Sequence, residues 1–307
     1  MRVIEVSQFG GPDVLREVDR PEPAPERGRV RVRVRAATVN PVDWLTRDGA
    51  LTALLPSLTP PFILGWDFAG EVLDDGDGFR AGQRVAGMIP WFTVGTGAYA
   101  EVILVDPAWL APLPDGVEET TAATVPLNGL TASQALDLAR LPAGASLVVT
   151  GASGGVGGFA VQLAAAAGAH VIAVASRGDE EYVASLGAKT VLHRDGDLSA
   201  AIRALFPDGV DAVLDAAPAG PTLISGVRDG GTFVAVLDAT LPAAERGTRT
   251  VKVSVQPDAD RLAALLAALA NGRLASRVAD TVPLSDAPSA HRRAAEGGVR
   301  GKLVLTR

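Results

Sequence analysis

The residues whose spacing carries the most chemistry are Ala152, Gly154 and Gly157. They form an A-x-G-x-x-G pattern immediately after the apolar run Leu147-Val148-Val149. That run is short and β-branched, as a buried parallel strand is, and it breaks at Gly151 into a glycine-rich turn. A segment of helical period follows, then a second apolar run over residues 171–175. A strand–turn–helix–strand unit of this kind binds phosphate. Small residues let the main chain approach a pyrophosphate, and the helix start offers unpaired N–H groups and the positive end of its dipole. Ser153, Gly154, Gly155, Val156 and Gly157 are therefore the expected cradle of a dinucleotide, with alanine in place of the fingerprint's first glycine.

The end of the second run selects the dinucleotide. An NAD site places Asp or Glu there, on the ribose 2′-hydroxyl, whereas this chain has Ser176 and Arg177. A carboxylate repels a 2′-phosphate and an arginine grips one with two hydrogen bonds, so NADP(H) is the expected cofactor. The alternative is an ordinary surface arginine. Asp179, Glu180 and Glu181 read as first-turn acids of the next helix. The same turn also satisfies G-x-S-x-G over residues 151–155, the nucleophile elbow of α/β-hydrolases. Ser153 is then the nucleophile, with Asp215 or Asp238 and then His291 in that fold's chain order. A non-catalytic NADPH-binding protein is a third reading.

The chain has 307 residues, the length of two domains or one large one. With 48% hydrophobic and 21% charged residues it is globular rather than disordered. A net charge of −7 argues against nucleic acid or an anionic membrane as partner. The absence of cysteine rules out disulfides, thiol catalysis and thiolate-bound zinc. The first residues have no signal-peptide core, and the apolar block at 262–270 is too short to span a bilayer, so the expected location is cytoplasmic.

Up to about residue 117 the texture is that of an antiparallel barrel. Residues 29–35 alternate as RVRVRVR, with Val30, Val32 and Val34 on one face. The arginines on the other face are expected to pair with Glu17, Asp19, Glu22 and Glu26. Turn clusters punctuate short strands, and residues 97–103 read as another strand. From 118 onward, helices at 118–125 and 130–138 flank Asn128-Gly129, with Thr131 as a cap. Strands at 190–192, 210–214 and 232–236 then alternate with helices near 180–186, 198 and Pro221, the pattern of a parallel, doubly wound sheet. Residues 251–255 form a candidate edge strand. The tail reads helix (261–270), strand (277–282), helix (287–296) and strand (302–305).

Several segments occur together in order: Asn40-Pro41-Val42-Asp43, Gly65-Trp66-Asp67-Phe68-Ala69-Gly70, Gly97-Ala98-Tyr99-Ala100-Glu101, Gly129-Leu130-Thr131-Ala132, the glycine-rich turn, Ser185-Leu186-Gly187-Ala188 and Gly301-Lys302-Leu303. Over nearly its whole length the chain resembles the zinc-free, quinone-oxidoreductase-like branch of the medium-chain dehydrogenase/reductase superfamily. The resemblance implies an α/β fold in which a Rossmann doubly wound parallel sheet (118–255) is inserted into a GroES-like β-barrel catalytic domain (1–117 and 256–307), with a cleft between them. It also implies an NADPH-dependent quinone or enone reductase, a homodimer through the edge strand at 251–255, and a small-molecule quinone or enone substrate. Zinc members carry cysteine at Asn40 and Gly-His-Glu at Gly65-Trp66-Asp67, so no metal is expected. Asn40 is the first candidate for steadying the developing oxyanion, with turn capping before Pro41 as the alternative. Asp43 and Asp67 orient neighbours, while Trp44 and Trp66 either wall a pocket or belong to the core. Related enzymes often have tyrosine at Trp44, so water or the ribose has to complete proton transfer. Arg194 stands where many relatives have tyrosine near the adenine phosphate. Thr131, Ala216, Arg300 and Lys302 complete the expected cofactor contacts.

Overall fold

The structure, a computed structural model, describes residues 1–307, and the chain divides into two compact units. The first comprises Met1–Leu127 and Gln256–Arg307, the second Asn128–Val255. In the first, β1 (Arg2–Val6), β2 (Leu15–Asp19) and β3 (Val30–Thr38) are followed by helix α1 (Pro41–Arg47). Strands β4 (Phe62–Ile63), β5 (Asp67–Val72) and β6 (Arg84–Met88) then lead to a short helix α2 (Trp91–Val94). Strands β7 (Val102–Val105) and β8 (Leu110–Pro112) precede helix α3 (Glu119–Ala122).

The alternation over 29–35 does what its period dictates. Val30, Val32 and Val34 are buried on β3 while the arginines face outward. Their partners match expectation at Glu22 and differ elsewhere. Arg31 binds Asp74 at 2.6 Å and Glu22 at 3.1 Å, and Arg35 binds Glu71 at 3.0 Å, whereas Glu17 lies beside Arg2. Glu22 comes from the segment before β3 as expected, while Glu71 and Asp74 come from β5 and the turn that follows it. The strand expected over 97–103 starts only at Val102, because Gly97 is pressed against the main chain of Leu64, where a Cβ would sit 2.3 Å from the carbonyl oxygen. Residues 118–127 belong to the first unit, which corrects the expected boundary. Helix α3 packs on β3 and β5, and Glu119 pairs with Arg84 at 2.7 Å.

Helix α4 (Pro126–Ala139) carries the chain from the first unit into the second and runs straight through Asn128-Gly129, so the break lies at Pro126 and Thr131 is a buried mid-helix residue rather than a cap. A proline at a helix start loses no hydrogen bond, and that punctuation outweighs the glycine's cost of about 1 kcal/mol inside the helix. Then come β9 (Ser146–Val149), α5 (Gly155–Ala166), β10 (His170–Ala175), α6 (Glu180–Ser185), β11 (Thr190–His193), α7 (Leu198–Leu205), β12 (Val210–Asp215), β13 (Val227–Ala235) and β14 (Arg249–Lys252). The helix expected near Pro221 is a 3-10 segment, Pro221–Gly226, packed so tightly on α7 that a Cβ at Gly226 would lie 3.0 Å from Ile202. All pairings are parallel, in the order β11-β10-β9-β12-β13-β14. The strand order reverses between β9 and β12, and ligands bind outside the carboxyl ends of the strands at such a switch point.

The chain then returns to the first unit through α8 (Ala259–Ala270), β15 (Val278–Pro283), α9 (Ala287–Glu296) and β16 (Lys302–Thr306). Strands from both chain ends share one sheet, ordered β15-β16-β3-β5-β6-β8, with β7 also on β3. No helix is long and apolar enough to cross a membrane.

Candidate functional site

Sheet register builds the polar centre of the first unit. Strand β3 pairs antiparallel with β5 (Ala37 opposite Phe68) and with β16 (Val304 opposite Thr38). Continuing both ladders past the end of β3 sets Thr38 against Asp67 and Asn40 against Lys302. Thr38 Oγ1 donates to Asp67 Oδ1 at 2.6 Å, and Lys302 Nζ donates to Asn40 Oδ1 at 2.6 Å and to the Val39 carbonyl at 2.7 Å. Asn40 closes the ladder as the N-cap of α1. Pro41 fills the first helical position, and the Asn40 N–H donates to Asp43 Oδ2 at 2.8 Å. Asp43 Oδ1 also accepts the Gly65 N–H at 3.2 Å, tying α1 to the start of β5. Gly65 has φ +107, and a Cβ there would sit 2.7 Å from the Ala98 nitrogen, so the Gly65-Trp66-Asp67 and Gly97-Ala98-Tyr99 segments meet main chain to main chain.

Donor chemistry orients the amide. Lysine has only hydrogens to give, so Asn40 turns its oxygen to Lys302. Both amide hydrogens then go to Thr38 Oγ1 and Asp67 Oδ1, each at 3.1 Å. Asn40 is 1% exposed and its amide hydrogens are spent. The sequence-based assignment of Asn40 as the donor to a substrate oxygen is corrected to its alternative, a cap that also bridges an ammonium to a carboxylate. Asp67 Oδ2 has no partner. Burial drives every charged member toward neutrality. It raises the Asp67 carboxyl, pushes Asp43 up to about 7, and lowers the Lys302 ammonium, while Lys302 pulls both acids back toward ionisation.

A second chain of bonds, absent from the sequence-based site, runs beside the first. Arg47, buried on α1, donates from Nη1 to His291 Nδ1 at 3.0 Å, and His291 Nε2 lies 3.1 Å from the Tyr99 hydroxyl. Arginine cannot accept, so His291 Nδ1 is bare and its hydrogen sits on Nε2. His291 therefore donates to Tyr99, and Tyr99 donates onward to the Thr38 carbonyl at 3.3 Å. Desolvation, helped by Arg47, lowers His291 to about 3.

The second unit presents main chain where the first presents side chains. Gly151 has φ +58 and a Cβ there would meet Ala217 at 2.7 Å; a Cβ on Gly157 would lie 2.1 Å from the Gly151 oxygen. Gly154 is the N-cap of α5, which follows at once with Gly155, Val156 and Gly157. Across the switch point, Thr150 Oγ1 donates to Asp215 Oδ1 at 2.6 Å and accepts from the Ala217 N–H, which fixes the Ala216 segment at the end of β12. Ser176 follows β10, and Arg177 is 71% exposed at 3.3 Å from Asp195. Arg194 is exposed just past β11. Glu180 accepts the Gly178 N–H at 2.7 Å. These features fit a bound nicotinamide dinucleotide: a turn that tolerates no Cβ, a twelve-residue helix pointing its start there, and cations at the ends of the two adjacent strands.

Of the other expected residues, Lys302 is 8% exposed and sits at the heart of the first network rather than on the surface, while Arg300 is exposed. Trp44 is half-buried on α1, and Trp66 is buried against Phe92. The hydrolase alternative loses its members. Both ring nitrogens of His291 are engaged within the first unit, Asp215 holds Thr150, and Asp238 pairs with Lys252. No group of three or more His, Cys, Asp or Glu side chains is placed to hold a metal. Asn40 and Trp66 offer zinc neither a thiolate nor an imidazole.

Two families match: "alcohol dehydrogenase GroES-like domain" over residues 26–115 and "zinc-binding dehydrogenase" over residues 186–305. A chloroplast envelope quinone oxidoreductase homolog of Arabidopsis thaliana is 30% identical over 99% of this chain and 98% of its own. A mouse quinone oxidoreductase is 31% identical over 99% and 97%. The solved quinone oxidoreductase of Coxiella burnetii superposes with a TM-score of 0.92 at 31% identity, covering 100% of this chain and 99% of that one. With this fold, a turn built for a nicotinamide dinucleotide and these relatives, the chain belongs to the quinone-oxidoreductase-like medium-chain dehydrogenase/reductases, NAD(P)H-dependent oxidoreductases that act on small molecules.

Proposed function

We propose that this chain is an NADPH-dependent reductase of quinones or α,β-unsaturated carbonyls that works without a metal. The observation that carries the reading is Gly157, whose missing Cβ leaves the main chain of the turn bare at the sheet's switch point. When bound, NADPH supplies a hydride to an electron-poor carbon already polarised by conjugation. Main-chain N–H groups of Ser153, Gly155, Val156 and Gly157 hold the pyrophosphate, while that of Gly154 closes the turn onto the Gly151 carbonyl at 2.8 Å. Ser176, Arg177 and Arg194 favour the 2′-phosphate; Asp195 sits 3.3 Å from Arg177, and Glu180 is turned to the Gly178 N–H. Thr131, Ala216 and Arg300 complete the proposed contacts. Lys302, the buried ammonium between Asn40 and the two aspartates, supplies the positive field for charge developing on the acceptor oxygen. Asp43, Asp67 and Asn40 hold it in place, and Trp44 borders the acceptor. A homodimer through the open edge of β14 and a cytoplasmic location belong to the same reading; light scattering that shows a monomer removes the dimer.

NADPH oxidation followed at 340 nm against quinones, enones and aldehydes tests the reaction. Turnover is expected with quinones or enones and not with simple aldehydes. Turnover of aldehydes alone, or of no acceptor despite tight NADPH binding, overturns the reading.

A further inference from the structure

Two indoles of the first unit belong to one aromatic cluster and differ in a single respect. Trp91 donates its Nε1–H to the Ile63 carbonyl at 2.7 Å. Trp66, 5% exposed, has a buried Nε1–H with no partner. A buried donor left unmade costs about 1–3 kcal/mol, so an unpaired indole N–H calls for an acceptor that arrives from outside. The indole nitrogen only donates, which restricts the visitor to a group with a lone pair. The surroundings restrict it further. Phe92 stands edge-on to Trp66 with centroids 4.6 Å apart, and the cluster continues through Trp91 and Phe62 to Phe9 at centroid steps of 6.2, 5.4 and 6.0 Å. Such a row of rings receives a flat, uncharged, conjugated molecule. Phe92 is also the movable piece. It is 45% exposed on the four-residue α2, which ends at Gly95 with φ +70.

We infer that the Trp66 indole N–H is the hydrogen-bond donor to the carbonyl oxygen of the acceptor, a quinone or cyclic enone, and that Phe92 covers it until the acceptor displaces the ring. The inference rests on the proposed carbonyl-acceptor chemistry and assigns that chemistry a donor now that the Asn40 amide is spent. Trp66 immediately precedes Asp67, the first residue of β5, so neighbouring positions carry the donor and the buried carboxylate that holds Asn40.

The test uses the full chain saturated with NADP⁺, so that no hydride is available, and cyclohex-2-enone or 1,4-naphthoquinone as probe. The four indole N–H signals are resolved in ¹H–¹⁵N spectra, and Trp66→Phe and Trp91→Phe identify two of them by loss. Adding the probe should shift the Trp66 signal and leave the Trp91 signal in place, and Phe92→Ala should speed solvent exchange of the Trp66 hydrogen. In turnover, Trp66→Phe should lower kcat/KM by about 10- to 100-fold, the range between an ordinary hydrogen bond and an oxyanion donor. Trp91→Phe removes the hydrogen bond to the Ile63 carbonyl and should lower Tm. A Trp66 signal unmoved by either probe overturns the inference, as does Trp66→Phe turnover within twofold of wild type. A signal that moves in a protein that reduces neither probe keeps the donor and removes the reductase reading instead.

Discussion

The two units build their candidate sites by opposite means. The second works by subtraction: Gly151, Gly154 and Gly157 remove side chains so that the main chain of the turn is bare, and the cations Arg177 and Arg194 stand in solvent. The first works by saturation: Thr38, Asn40, Asp67 and Lys302 are buried and bonded to one another at 2.6–3.1 Å. A cradle of bare main chain tolerates no added atom but asks little of its neighbours. A saturated network tolerates changes of size but not the loss of one charge. The choice of cation fits this difference. Lys302 is one of three lysines, with Lys189 and Lys252, in a chain whose Lys and Arg total 28. Arginine serves at the exposed nucleotide corner, where a permanent fork suits a phosphate. The buried position takes the compact ammonium, whose proton affinity responds to burial.

The largest expected effect comes from filling the subtraction. Gly157→Ala puts a Cβ 2.1 Å from the Gly151 oxygen and 2.6 Å from its carbonyl carbon, so the turn itself must move. NADPH affinity should fall by about 100-fold or more, since displacements near 1 Å cost on that order, with a clear loss of Tm. Fluorescence titration measures the first, and unchanged affinity would mean the turn holds no pyrophosphate. The corresponding break in the saturated network is Lys302→Met. It strands Asp67 beside Asp43 and should cost about 3–5 kcal/mol, the price of an uncompensated buried charge. Adding Asp67→Asn should return part of that loss, so the double variant is more stable in urea than the sum of its parents. Strict additivity would show that the two groups do not interact.

Arg177→Ala is a milder test of the open corner. The side chain is mostly exposed and already shared with Asp195, so NADPH should bind roughly tenfold more weakly, as for one charge-assisted contact, while NADH changes by less than twofold. Equal losses for both nucleotides would place the 2′-phosphate elsewhere.

The same contrast decides what could be read before folding. The nucleotide cradle is local: strand, turn, helix and Ser176-Arg177 lie within one βαβ unit, and each step has a sequence signature. The tail helix and final strand were equally legible, because α9 is a polar-faced helical stretch and β16 a short apolar run. The saturated network has no such signature. Lys302 meets Asn40 across 262 residues, through a register fixed by β16 pairing with β3. Spacing could name Asn40 and Lys302 as polar residues of interest but could not show that one silences the other's amide. Arg47, Tyr99 and His291 went unrecognised as a group for the same reason, and only Tyr99 lay in a singled-out segment, GAYAE. The Asn128-Gly129 break failed differently: glycine is a weak breaker, and a helix with Pro126 at its start and buried residues beyond runs through it.

The smallest effect separates two buried groups that titrate in opposite senses. His291 is held at about 3, below its ordinary 6.5, so its contribution to stability is complete above 6.5 and is lost as pH falls from there toward 3. Asp43 is raised to about 7, so its contribution is complete below about 4 and is lost as pH rises from there to 7. Between about 4 and 6.5 the two slopes, each about 1.4 kcal/mol per pH unit at most, oppose one another, and their sum is nearly flat. Single variants should uncover them. His291→Gln can still accept from Arg47 and donate to Tyr99, and its Tm deficit relative to wild type should shrink from pH 6.5 to 4.5. The deficit of Asp43→Asn should grow over the same range. Measuring each variant against wild type at every pH removes the groups that do not touch the two sites, so crossed lines report His291 and Asp43 together with the Asp67 and Lys302 charges coupled to Asp43. Parallel lines would mean that neither group changes its proton between the folded and unfolded chain in this window, and the bond directions assigned to Arg47, His291 and Tyr99 would lose their electrostatic support.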